Sequence, residues 1–242
     1  MQIRVISDIE AISHEAVRIF VMLSKEYIGS QGRFVAAISG GSTPKRFYEL
    51  LASDSYRGNV EWSKIHLFWV DERCVPKESE SSNFMSAFDH LISRISIPDE
   101  NIHRIKGEYG PEKGARDYEE HIKRFFGISA LPVFDIIILG MGEDGHTASL
   151  FPGSKSLDEK IRFAVPAYGE KMNRVTLTLP VLNNARHILF LVSGQSKADV
   201  LKDILENTEK RKKYPAGLMS PAHGDITWLI TRDAAGRLKT IE

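Results

Sequence analysis

The stretch from Phe134 to Gly153 constrains this chain most. Ile136 to Leu139 is an unbroken aliphatic run that leads directly into Gly140-Met141-Gly142-Glu143-Asp144-Gly145-His146. A strand of that composition is covered on both faces, as central strands of α/β proteins are. Ligands of such sheets bind beyond the carboxyl ends of the strands. The glycines allow positive φ and close approach of backbone to a ligand, and Asp144 and His146 ride on the turn. Gly140, Gly142 and Gly145 also spell G-x-G-x-x-G. The dinucleotide reading of that spacing needs a long helix after the third glycine, and Pro152-Gly153-Ser154 interrupts too soon. A tight turn with a solvent-facing histidine is the plainer alternative. Against it stands the position of His146, where catalytic groups of such sheets gather.

Other loops repeat the arrangement. Arg33 to Ser39 reads as a strand ending in Gly40-Gly41-Ser42-Thr43-Pro44, followed by a helix carrying Phe47, Leu50 and Leu51. Thr43 is the expected N-cap and Pro44 a first-turn proline, so free amides point back toward Gly40 and Gly41. Unpaired N–H groups and the helix dipole favour a phosphate there. The spacing of the ATP-binding loop is missing, which favours a sugar phosphate over a nucleoside triphosphate. An ordinary capped helix is the competing reading.

A strand over Lys64–Val70 ends in Asp71-Glu72-Arg73-Cys74. Arg73 offers a planar fork suited to phosphate, Asp71 can orient a base or bind a sugar hydroxyl, and Glu72 is equally well a surface salt-bridge residue. Cys74 has no neighbouring base and reads as structural. His187–Ser193 is another buried-type strand, closed by Gly194-Gln195-Ser196-Lys197. A lysine in the first turn of the next helix opposes the dipole unless an anion sits nearby. Arg174 opens an alternating run to Leu179 and is either an edge charge or a second phosphate ligand.

Between these lie a short strand at Ile3–Ile6, an amphipathic helix marked by Ile12, Ala16, Phe20 and Leu23, helices from about Asn83 and after Pro111, a strand at Ile161–Val165 and a strand through Ile230. His14 and His121 read as helix-surface residues, Glu206 to Lys213 as a solvated loop, and the last residues as a short helical segment. Strands alternating with helices predict a mainly parallel sheet between helical layers. The loops of Ser42, Arg73, His146 and Lys197 all follow strands and would meet on one sheet edge.

Lysine plus arginine equals aspartate plus glutamate at 32 each, which gives no field for nucleic acid or an anionic membrane. With a single cysteine there is no internal disulfide and no CxxC motif, which points to a reducing compartment. No signal-peptide core and no membrane-length apolar run is present, so a cytoplasmic protein is expected. No linker divides the 242 residues, and one domain over 1–242 is expected. There is no G-x-S-x-G elbow and no H-E-x-x-H, which disfavours serine and zinc hydrolases.

Taken together, Ser39-Gly40-Gly41-Ser42-Thr43-Pro44, Asp71-Glu72-Arg73, Ser82-Asn83, the Gly140–Pro152 turn, Arg174-Val175-Thr176-Leu177-Thr178 and Ser193-Gly194-Gln195-Ser196-Lys197-Ala198 resemble the 6-phosphogluconolactonase family. That family belongs with the glucosamine-6-phosphate deaminases. The resemblance spans nearly the whole chain and departs from the family pattern at Trp228 to Ala235, which is expected to lie far from the site. It implies a three-layer α/β/α sandwich with a Rossmann-like central sheet, and hydrolysis of 6-phospho-D-glucono-1,5-lactone in the oxidative pentose phosphate pathway without a cofactor or metal. His146 would be the general base and Asp71 its partner or a hydroxyl ligand, with Asp144 the other candidate for holding the imidazole. Gly40, Gly41, Ser42, Thr43, Arg73, Asn83, Asp144, Gly145, Arg174 and Lys197 would bind the substrate. The implied partner is a small sugar phosphate lactone, with no nucleic acid or membrane, in a monomer or small homo-oligomer. Two rivals remain at this stage. One is a deaminase, where that family carries glutamate in place of Phe151. The other is a sugar-phosphate sensor, for which the roughly thirty residues before the first glycine loop leave no room for a helix-turn-helix.

Overall fold

The computed structural model describes residues 1–128, 130–169 and 171–239. The first half of the chain contains β1 (Gln2–Ile6), α1 (Ile9–Gln31), β2 (Phe34–Ile38), α2 (Ser42–Leu51), β3 (Ile65–Trp69), β4 (Asp71–Arg73), α3 (Asn83–His90), β5 (Ile102–His103) and α4 (Pro111–Phe126). The second half contains β6 (Ile136–Leu139), β7 (Ala164–Tyr168), β8 (Asn173–Leu177), α5 (Leu179–Leu182), β9 (His187–Val192), α6 (Ala198–Glu206), α7 (Thr208–Arg211) and β10 (Asp225–Thr231). Seven strands form one parallel sheet in the order β1-β10-β9-β6-β2-β3-β5.

Every residue of β2 and β6 is buried, as their unbroken apolar sequences require. Helix α1 turns Ile12, Ala16, Phe20 and Leu23 toward the sheet. It is capped at its start by Asp8 and closed by Gly32 in the left-handed region. From β2 the chain builds outward through β3 and β5, then returns to the other side of β2 and builds through β6, β9 and β10. The direction of winding therefore reverses between β2 and β6. A crevice opens at such a reversal, at the carboxyl ends of the two strands.

A second sheet accompanies the mainly parallel one. β4, β8 and β7 form a separate antiparallel sheet, which the sequence pattern does not distinguish. Only residues 169–172 separate β7 from β8, too few for a crossover, so the two strands must run antiparallel. Pro166 is tolerated because β7 is an edge strand.

Some local expectations need correction. Helix α2 starts at Ser42, with Gly41 as its N-cap at φ 107° and no side-chain cap, so Thr43 lies inside the first turn. Within Glu206–Lys213, Asn207 caps the short helix α7. Residues 232–237 are turns and not helix. His121 is half-buried beside His103 rather than on an open helix surface. Among the described residues no helix is long and apolar enough to cross a membrane.

Candidate active site

A cleft of about 160 Å³ lies at the reversal point, lined by the loops after β2 and β6, the start of β4, Arg174 of β8 and Lys197. Ser39 fastens the two central strands by donating its hydroxyl to Ile138 O at 2.7 Å. Beyond it, Gly41 turns the chain into α2. Because no side chain caps that helix, the first-turn amides are left to a ligand. Thr43 instead shares a hydrogen bond with Ser193 Oγ at 3.0 Å, joining the loops after β2 and β9.

On the turn after β6, Asp144 Oδ1 lies 2.5 Å from His146 Nδ1 and also accepts the His146 backbone N–H at 3.1 Å. A carboxylate only accepts, so Nδ1 carries the proton and the lone pair is on Nε2. Among the described residues nothing bonds Nε2. The pair fits because residue 142 is glycine: a Cβ there would fall 2.2 Å from His146 Nδ1 and 2.7 Å from Asp144 Oδ1. One face of the imidazole meets Phe151, with ring centroids 4.8 Å apart.

Asp71 is placed differently. It is 5% exposed and receives Ser149 Oγ at 2.5 Å and Asn83 Nδ2 at 3.2 Å, with Arg174 Nη1 3.8 Å away. The carboxylate on the histidine is therefore Asp144, while Asp71 anchors Ser149 and faces Arg174. Asn83, expected as a substrate ligand, lines the cleft and is fixed in place by Asp71. Its amide holds Asp71, and its Oδ1 sits where a Cβ on Gly40 would approach to 1.8 Å.

Arg73 and Arg174 are direct register partners on β4 and β8. Like charges directly opposite destabilise a sheet unless something negative lies between or beside them. Asp71 partly answers Arg174, and Arg73 Nη1 donates to Ser81 O at 2.8 Å. Burial pulls the Arg174 guanidinium below its usual pKa, with Asp71 working in the opposite direction. The Lys197 ammonium is likewise lowered by burial, and Glu143 and Asp233 offset part of this. Lys197 forms no salt bridge within 4.0 Å among the described residues. Four buried side-chain polar atoms lack a partner among the described residues, and two of them, Arg73 Nε and Asn83 Oδ1, belong to residues that line this cleft.

Glu72 and Ser149 are contributors that sequence reasoning missed. Glu72 is 3% exposed, and its carboxylate accepts from the backbone N–H groups of Arg73, Asn83 and Phe84 and from Ser82 Oγ. It thus caps α3 from another strand. Burial raises its pKa, and the three backbone donors pull it back. A negative residue near an S-N helix start is a signal, but the pairing spans 11 residues and only the fold reveals it. Ser149 sits on a turn where Ala148 adopts φ 49°, which directs its hydroxyl onto Asp71. Burial pushes the Cys74 thiol up to about 11, so Arg73 does not activate it. Among the described residues no group of three or more His, Cys, Asp or Glu could hold a metal ion.

The cleft lies where α/β folds of this class bind small ligands, with an uncapped helix start and three basic side chains on its wall. The profile described as glucosamine-6-phosphate isomerases/6-phosphogluconolactonase matches residues 7–228, and the chain belongs to that family. A 6-phosphogluconolactonase of Homo sapiens is 39% identical over 88% of this chain and 83% of its own. One from Synechocystis sp. is 38% identical over 88% of both chains. The solved 6-phosphogluconolactonase of Trypanosoma cruzi superposes with a TM-score of 0.87 at 29% identity, over 99% of this chain and 97% of that one.

Proposed function

We propose that the chain hydrolyses 6-phospho-D-glucono-1,5-lactone to 6-phosphogluconate, the second step of the oxidative pentose phosphate pathway. The observation that carries this reading is the pairing in one cleft of an Asp144-held imidazole with a cationic wall of Arg73, Arg174 and Lys197 beside the open start of α2. The phosphate rests on the amides of Gly41–Thr43 and on those three side chains. His146 Nε2 takes a proton from water as the oxygen attacks the lactone C1 carbonyl carbon. Asp144 stabilises the imidazolium that forms. Backbone amides of the Gly40–Gly41 and Gly140–Gly142 turns shelter the oxyanion. The tetrahedral centre then collapses, the bond from C1 to the ring oxygen breaks, and His146 returns its proton to that oxygen. The ring opens to the free acid, with water the only co-reactant.

Phe151 favours hydrolysis over deamination. Its apolar ring lies against His146 and under Arg174, whose guanidinium carbon is 5.5 Å from the ring centroid, and it cannot relay a proton for aldose–ketose chemistry. The test is acid release from freshly generated 6-phosphogluconolactone, corrected for spontaneous hydrolysis, beside ammonia release from glucosamine 6-phosphate. Acceleration of the first alone is expected. Ammonia release at a comparable rate would overturn the assignment.

A further inference from the structure

Behind the His146 turn lies a part of the chain that the sequence marks only as charged. Within residues 142–146 the backbone holds itself through Gly142 N to His146 O at 2.9 Å and Gly145 N to Gly142 O at 3.1 Å. Among the described residues, the only backbone hydrogen bond tying these residues to a remote segment is Ala216 N to Gly145 O at 3.0 Å. The Tyr214 ring lies directly on the bare face of Gly145, where a Cβ would come within 2.6 Å of Tyr214 Cδ1.

Tyr214 is itself fixed. Its hydroxyl donates to Asp203 Oδ2 on α6 at 3.1 Å, and Lys210 on α7 takes the other Asp203 oxygen at 3.0 Å. Arg211 folds the segment back by donating to Gly217 O at 2.6 Å and Met219 O at 3.0 Å. A ring and an N–H from one tethered segment thus converge on the residue immediately before His146.

We infer that Tyr214 is a positioning residue for His146, seated by a clasp over residues 208–219. The turn needs such a clasp because of its glycines: Gly145 at φ 76° gains no steric restriction of its own, and a turn rich in glycine samples many backbone states when free. The imidazole is bonded to Asp144 on the same turn, so the pair moves with the backbone as one body. Holding it from outside fixes where Nε2 meets water and substrate. Tyr214 touches neither. The inference rests on the reading of His146 as general base.

The test compares wild type, Tyr214→Phe and Tyr214→Ala by steady-state kinetics on the phosphorylated lactone and by NMR titration of the His146 imidazole in the free protein. A misplacement of about 1 Å costs up to about a hundredfold, so Tyr214→Ala should lose roughly ten- to a hundredfold in kcat with KM changed by less than about twofold. Its His146 titration should shift. Tyr214→Phe keeps the ring, loses only the bond to Asp203, and should restore both readouts. Unchanged kcat in Tyr214→Ala, a loss confined to KM, or equal damage in Tyr214→Phe would overturn the clasp. Should Tyr214→Ala not fold, Tyr214→Leu carries the same comparison with a smaller expected loss. A wild type without lactonase activity would sink the proposed function, and the clasp would then stand or fall on whether the His146 titration moves.

Discussion

His146 and His103 are both held through Nδ1, one by a carboxylate and the other by a second imidazole. His146 has Asp144 on one nitrogen and an open cleft beside it, with 30% of its side chain exposed. His103 bonds His121 Nε2 at 2.8 Å through Nδ1 and His66 Nδ1 at 3.1 Å through Nε2, and it stacks on Phe68 with centroids 4.2 Å apart. A carboxylate on one nitrogen stabilises the cation and leaves the other nitrogen free to take a proton. Imidazoles on both nitrogens and aromatic walls do the reverse. Burial, then His121 and His66, push His103 down to about 3, and burial also lowers His66 and His121. The same side chain thus keeps one nitrogen open to a cleft in one place and is held neutral in the other, and its surroundings decide which.

The difference between the two histidines should show most strongly at His146. General-base catalysis contributes about 10²- to 10⁴-fold, so His146→Ala should lose that much kcat while phosphate binding, carried by other side chains, stays close to wild type. A folded His146→Ala protein with near-normal kcat would make the two histidine environments equivalent in function. Next in size is the cationic wall. A charge-assisted contact is worth about 1.5–3 kcal/mol, so Arg174→Ala should lower kcat/KM by about ten- to a hundredfold, with normal kinetics marking Arg174 as structural.

The smallest effect is on stability and sharpens the other half. Because His66, His103 and His121 titrate below the ordinary 6.5 when folded, the unfolded chain binds protons more readily as pH falls through that value. The stability they contribute is complete above about pH 6.5 and declines below it, by up to about 1.4 kcal/mol per pH unit for each proton. His103→Phe keeps the stacking on Phe68 and should flatten the decline between about pH 6.5 and 5 in urea unfolding. An unaltered slope would mean that the cluster is not what acid attacks.

Local features of the site are legible in the sequence, and contacts between distant segments are not. The glycine-bounded turn, the strand before it and the open start of α2 were legible because each is local: periodicity, a proline and glycines lie within a few residues of one another. The partner of His146 was not, since choosing Asp144 over Asp71 depends on the space left by Gly142. The antiparallel sheet was hidden because β4 and β8 come together across about a hundred residues. The bond from Asn83 to Asp71, Glu72 as distant cap and the contact of Tyr214 with Gly145 share that cause. His66, His103 and His121 become neighbours only when β3, β5 and α4 pack, which is why His121 read as a helix-surface residue.

If one cleft grips a phosphate through its cationic wall and opens a lactone with His146, the phosphate must matter to turnover. The decisive quantity is the ratio of kcat/KM for 6-phosphogluconolactone to that for unphosphorylated gluconolactone in the wild-type protein, both corrected for spontaneous hydrolysis. Two or more charge-assisted phosphate contacts predict a preference of at least about a hundredfold for the phosphorylated lactone. Equal hydrolysis of the two lactones would mean that the basic side chains do not hold a phosphate.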